Sequence, residues 1–183
     1  MALPLKITVL AAFMLLGACR SEPINFHTLT PVQPGTARVG GEIAIEAISV
    51  PPQVDRAQIV IRQGDSGLAI LETQWWGASL SDELRSALVD QLSNANSRSK
   101  ASVRIDVQRF DSIPGQYALM DVKWRLRQPG SADDSRLTCR TVLKTPSGPS
   151  IDDLVVAQQN NVKRLAAVIS QAAGNPRGCP AGT

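Results

Sequence analysis

The side chains that most often carry chemistry are sparse in this sequence of 183 residues, which has one histidine, His27, and three cysteines, Cys19, Cys139 and Cys179. A His/Cys metal site needs three or four clustered ligands, and one histidine with two widely spaced downstream cysteines does not supply them. A Ser–His–Asp triad would have to recruit His27, which precedes the first clear strand pattern. Gly64-Asp65-Ser66-Gly67 lacks both the G-x-S-x-G spacing and the following helix of a nucleophile elbow. It reads as a hairpin turn. Neither a GxGxxG loop nor a Walker A sequence occurs. The carboxylates are scattered beside Arg or Lys, and none points to a two-carboxylate acid/base site. The expectation is a protein that is not an enzyme and holds no metal or dissociable cofactor.

Cys19 differs from the other two cysteines by its context. Lys6 gives a short basic start, Ile7 to Leu16 is almost wholly apolar, and Leu16-Gly17-Ala18-Cys19 follows. That is the layout of a secretion signal, with small residues before the cut. The apolar run is shorter than the ~20 residues that a spanning helix needs. The last four residues resemble a bacterial lipobox. The resemblance implies a signal over residues 1–18, cleavage before Cys19, thioether lipidation of its thiol and acylation of the new N-terminus. Several acyl chains make a stable anchor where one is marginal. Arg20 follows, and by analogy with enterobacterial lipoprotein sorting the absence of Asp there implies the outer membrane, with the chain facing the periplasm. The competing reading is an ordinary secretory signal with an incidental cysteine.

The periplasm is oxidising, so Cys139 and Cys179 are a candidate disulfide. It would pin the Gly/Pro-rich tail, residues 174–183, which would otherwise fray. The alternative is a free, buried Cys139 on the apolar side of its strand. Trp75 and Trp76 are candidate partner-binding residues. Neighbours in a strand point to opposite faces, so one ring is expected inside and the other as an exposed anchor; the competing reading puts both in the core. Lys123, Arg125 and Arg127 are the second candidate set, sharing a polar face with Arg104, Arg140 and Lys144 against Asp106 and Asp121. Such a face suits lipid phosphates or an acidic protein. Its plainer reading is a solvated face that discourages edge pairing.

The elements that must position these residues follow from periodicity. Residues 19–41, with Pro23, Pro31 and Pro34, read as a lipidated tether holding a short extended piece at Ile24 to Leu29. The folded domain is expected over 42–173. Glu42 to Val50, Ala57 to Gln63 and Leu68 to Gln74 read as strands. Leu80, Leu84, Ala87, Leu88 and Leu92 recur at helical spacing over Leu80 to Ala95, with Asp82, Glu83, Arg85 and Asp90 expected on the other side and Ser79 or Ser81 as the cap. Three strands then alternate cleanly: Val103/Ile105/Val107, then Ala118/Met120/Val122/Trp124/Leu126, then Leu137/Cys139/Thr141/Leu143. Period two over successive strands implies an antiparallel meander with one buried face. Ser150 caps a last helix to Ala173, its apolar stripe broken by Gln158. The order βββ-α-βββ-α predicts an α+β, two-layer domain: a six-stranded, largely antiparallel sheet with both helices on one face. A composition that is 43% hydrophobic and 19% charged fits a globular domain. The net charge of +3, or +2 once Lys6 is removed, is too small to imply nucleic acid.

Several segments together resemble the PqiC-type ABC-transport auxiliary lipoproteins of the paraquat-inducible membrane-integrity system. Phe26-His27-Thr28-Leu29 stands where the family has an aromatic pair, one residue and Leu. Ile48-Ser49-Val50-Pro51 resembles its strand end. Trp76-Gly77-Ala78-Ser79-Leu80, with Leu84 and Leu88, resembles the start of its first helix. Phe110 and Trp124 match an F…W pair in its central hairpin, and Asp152-Asp153-Leu154-Val155 with the helix to Ile169 resembles its closing helix. Phe26-His27 replaces a tyrosine pair, Ser79 replaces a proline, and the Cys179 tail is an addition. The resemblance implies a non-enzymatic docking subunit in MCE-type intermembrane lipid transport. Its expected partners are an MCE-domain protein and other lipid-transport components, its contact with the membrane is the lipid anchor, and self-association into a homo-oligomer is compatible with that role. The alternative is a periplasmic lipoprotein that shelters a lipid or other apolar ligand in its own cavity.

Overall fold

Alternation of apolar and polar residues builds the centre of the fold, three long antiparallel strands: β5 (Lys100–Ile113), β6 (Tyr117–Arg127) and β7 (Leu137–Pro146). The computed structural model describes residues 22–31, 42–92, 100–128, 136–174 and 178–180. The expected signal, Cys19 and the stretch 93–95 of the first expected helix lie outside them. Around the meander stand β1 (Asn25–His27), β2 (Glu42–Ser49), β3 (Gln58–Gln63), β4 (Gly67–Trp76), α1 (Leu80–Leu92) and α2 (Ile151–Gly174).

The class is α+β, but the single six-stranded sheet expected from the sequence is divided. Seven strands form a three-stranded sheet, β1-β4-β3, and a four-stranded sheet, β2-β5-β6-β7. Pro51-Pro52 ends β2, and the chain turns there, with the Val54 and Asp55 amides both donating to Pro51 O. The β3–β4 hairpin therefore leaves the plane of β2. β2 instead lies parallel beside β5, with Ile43 opposite Ala101 and Ile45 opposite Val103. β1, inside the segment expected to be tether, pairs parallel with β4, and Leu29 just after it is fully buried. Packing of the body thus begins upstream of residue 42.

Both helices cover one face of the larger sheet: α2 lies on β6 and β7, and α1 packs on β2 and against α2. Ser79 and Ser150 cap them, their hydroxyls accepting the amides of Asp82 (3.3 Å) and Asp153 (3.0 Å). Between the layers Val103, Ile105, Met120, Val122, Trp124, Leu143, Leu165 and Ile169 are all fully buried. Trp124 satisfies its indole by donating to Thr141 Oγ1 at 3.0 Å. The polar residues in the α2 stripe also find partners. Gln158 Nε2 donates to Asp111 O and Ser112 Oγ, both at 3.2 Å, and Asn161 Nδ2 donates to Ala118 O at 3.2 Å. These bonds fix the register of α2 on β5 and β6, because any slip would orphan buried amides.

A bulge decides which residues of β5 face outward. Strict alternation from Val103 would turn Arg109 inward. A register shift between Val107 and Arg109 places Arg109 outside, opposite Asp121, and Phe110 inside, opposite Met120. The β5–β6 turn follows from Pro114 and Gly115: Gly115 takes φ 76°, and the Gln116 amide donates to Ile113 O at 3.0 Å.

Candidate functional site

The uncovered face of β5, β6 and β7 is a field of basic side chains held by a few acids. Lys123, Arg125 and Arg127 project from β6 and are exposed. Register places Arg125 directly opposite Arg104, and Lys123 between Asp106 on β5 and Arg140 on β7. Like charges in direct opposition repel, so acids partly offset them. Arg125 lies 3.7 Å from Asp106, and Arg127 lies 3.4 Å from Glu46. Glu46, Arg104, Arg125, Leu126, Arg127 and Arg136 line an open cleft of about 300 Å³ at this end.

Two carboxylates on this face are buried beneath arginines. Arg140 donates to Asp121 through Nε (2.8 Å) and Nη2 (2.5 Å). That forked contact holds the Asp121 carboxyl below the usual carboxylate range, against the opposing effect of burial, and the charges of Arg140, Arg109 and Lys123 add to it. The same contact raises Arg140. Asp111 sits between Arg62, which donates from Nε (3.2 Å) and Nη2 (2.9 Å), and Arg109. Arg62 comes from β3, so this ion cluster joins the small sheet to the large one.

Trp75 and Trp76 separate as strand geometry requires. Trp76 is buried in the core. Trp75 is half-buried, donates its indole N–H to Glu72 O at 3.0 Å, and meets Phe26 edge-to-face with ring centroids 6.2 Å apart. Phe26 is 66% exposed and Ile24 44% exposed. The aromatic pair and the basic row lie on different sheets, so the structure does not bring Trp75 together with Lys123, Arg125 and Arg127.

The corner beneath Phe26 is stitched by polar contacts from three elements. Glu83, on the first turn of α1, accepts the Thr28 hydroxyl (2.8 Å) and the Leu29 amide (2.9 Å). Gln159 of α2 donates to Thr28 O (2.9 Å), and His27 Nε2 lies 2.8 Å from Gln74 Oε1. The Gly77 amide donates to His27 O, and a Cβ at Gly77 would come within 2.9 Å of Glu83 Oε1. None of these roles was read from the sequence. Glu83, expected on the polar side of the helix, is instead buried on its apolar stripe, as its spacing of three after Leu80 and four before Ala87 allows. At the other end of the chain a disulfide joins Cys139 of β7 to Cys179, with Cα atoms 5.6 Å apart.

The basic row and the aromatic corner are two separate exposed surfaces. Among the described residues, no group of three or more His, Cys, Asp or Glu is placed to hold a metal, and no helix is long and apolar enough to cross a membrane. A family model described as the ABC-type transport auxiliary lipoprotein component matches residues 27–170. The chain belongs to that family. A crystal structure of an uncharacterized protein superposes with a TM-score of 0.65 at 17% identity, covering 82% of this chain and 98% of its own. A crystal structure of a Xanthomonas campestris protein gives 0.57 at 18% identity, covering 85% and 96%. At these identities the two structures establish a shared fold. A search of curated proteins gives no match.

Proposed function

We propose that this chain is the docking subunit of an MCE-type intermembrane lipid-transport system, anchored through lipid on Cys19 to the outer membrane and facing the periplasm. The MCE-type role is what the resemblance to PqiC-type lipoproteins implies, and the outward sheet face supports docking as its means. A rigid ladder there holds Lys123 and Arg125 beside other cations, Arg140 and Arg104, at a surface open to a partner. Bringing an acidic protein surface against that row relieves the repulsion, which gives both attraction and register. The filled layer between helices and sheet, with Trp124, Met120 and Leu165 fully buried, supports docking over carriage of a lipid inside the domain. Energy for transport comes from other components, and the role of this chain is non-enzymatic.

The test places a photo-crosslinking residue at position 138, exposed on β7 opposite Arg125, in the intact envelope. An MCE-domain protein is the expected adduct, and the double reversal Lys123→Glu, Arg125→Glu is expected to remove it while the protein stays folded. Recovery of phospholipid alone would assign the chain to carriage and overturn the docking role.

A further inference from the structure

We propose that Ile24, Phe26 and Trp75 form a membrane-contacting corner that seats the folded body against the bilayer holding its lipid. This inference rests on the reading of Cys19 as the anchored residue. Ile24 is the fifth residue after Cys19, and a chain spans at most roughly 3.3–3.6 Å per residue, so about 18 Å separates the two at full extension. A body held on so short a leash keeps this corner beside the membrane. The corner is apolar where it is exposed: Ile24 and Phe26 stand in solvent, and Trp75 shows part of its ring beside Phe26. Aromatic rings with an apolar body favour the headgroup boundary.

The corner is also rigidly mounted. Glu83, Gln159 and Gln74 hold residues 27–29 to α1, α2 and β4, so Phe26 is displayed by the fold rather than carried on a loose tail. Neighbouring ionisable groups select the kind of surface. Glu22, Glu72 and Asp152 are exposed around the corner, Asp152 with His27 Nδ1 3.5 Å away. They repel anionic lipid, so the contact is apolar and suits a zwitterionic phospholipid. The basic face of β5–β7 would behave oppositely, with binding driven by anionic lipid and lost in salt.

The experiment uses the mature chain from Cys19 with the Cys139–Cys179 bond intact, which leaves Cys19 as the one free thiol. Cys19 is coupled to a maleimide headgroup lipid in phosphatidylcholine vesicles whose acyl chains carry bromine, and tryptophan emission is read. Quenching close to the share of one tryptophan in three is expected, since Trp76 and Trp124 are buried. It should vanish in Trp75→Phe, weaken in Phe26→Ser, and persist in high salt. Unchanged emission on coupling would overturn the proposal, as would equal quenching in Trp75→Phe. Quenching that needs added phosphatidylglycerol and disappears in salt would assign the membrane contact to the basic face instead. Shielding of Trp75 that grows with protein concentration, without vesicles, would assign the corner to a second copy. Because the tether is made chemically, these outcomes are independent of lipidation in cells, which mass spectrometry of Cys19 in the mature protein tests separately.

Discussion

The meander and the N-terminal corner hold together by different means. β5 and β6 share a register from Ser102↔Arg127 to Ile113↔Tyr117, and β6 is paired again along its length with β7. Apart from Gln108 at the bulge, the residues there are fixed by a backbone ladder, and their inner side chains by the layer under α2. The corner has a strand of three residues, paired with β4 over that short length and otherwise held by single side-chain contacts from Gln74, Glu83 and Gln159. The first arrangement is spread over many equivalent bonds; the second depends on a few named ones, so a single substitution can weaken it alone.

Three measurements break or sharpen this contrast. The largest effect is expected for Trp124→Ala, which empties the centre of the buried layer and orphans Thr141. A loss of about 3–5 kcal/mol in urea unfolding is expected, with all regions unfolding together. A loss confined to one region would show that the layer is not shared by the whole domain. Glu83→Ala comes next. It leaves the Leu29 amide and Thr28 hydroxyl without their acceptor, which costs about 1–3 kcal/mol. Hydrogen exchange at Leu29 and Gly77 should accelerate while the β5–β6 amides keep their protection. Equal acceleration in both would erase the distinction between the regions.

The smallest effect concerns the Asp121–Arg140 pair, because Arg140 is largely in solvent. Asp121 is held below its ordinary value in the folded chain, so between that value and the unfolded value of ~3.9 the unfolded chain binds more protons. Its contribution is complete above that range and is lost as pH falls through the folded-state value. Acid titration of stability should therefore fall less steeply in Asp121→Asn than in the parent chain. Identical slopes would show that the pair adds nothing to the meander.

Legibility followed the same division. In β6 the apolar set Ala118, Met120, Val122, Trp124 and Leu126 alternates without a break, and all five are buried. One buried face forces that pattern on the sequence, so the strand, its polar side and the row of Lys123, Arg125 and Arg127 could all be read directly. The bulge at Val107–Arg109 was readable only in part. The shift from Val107 to Phe110 breaks the period, but an alternation rule does not say which residue is unpaired. The corner left almost no trace. Three residues are too few to show a period, and the partners of Thr28 lie 55 and 131 positions away, at Glu83 and Gln159. Phe26 and Trp75 are ordinary aromatics until β1 lies beside β4.

Sequence alone determined the local elements: two capped amphipathic helices and an alternating meander. Each arises from side-chain periodicity and backbone stereochemistry within a few residues. Only the tertiary structure decided that β2 joins β5 in parallel, that β1 belongs to the body, that the strands divide into two sheets, and that Phe26 meets Trp75. Those outcomes depend on how separate apolar faces compete for burial across the whole chain, and no local window contains that competition.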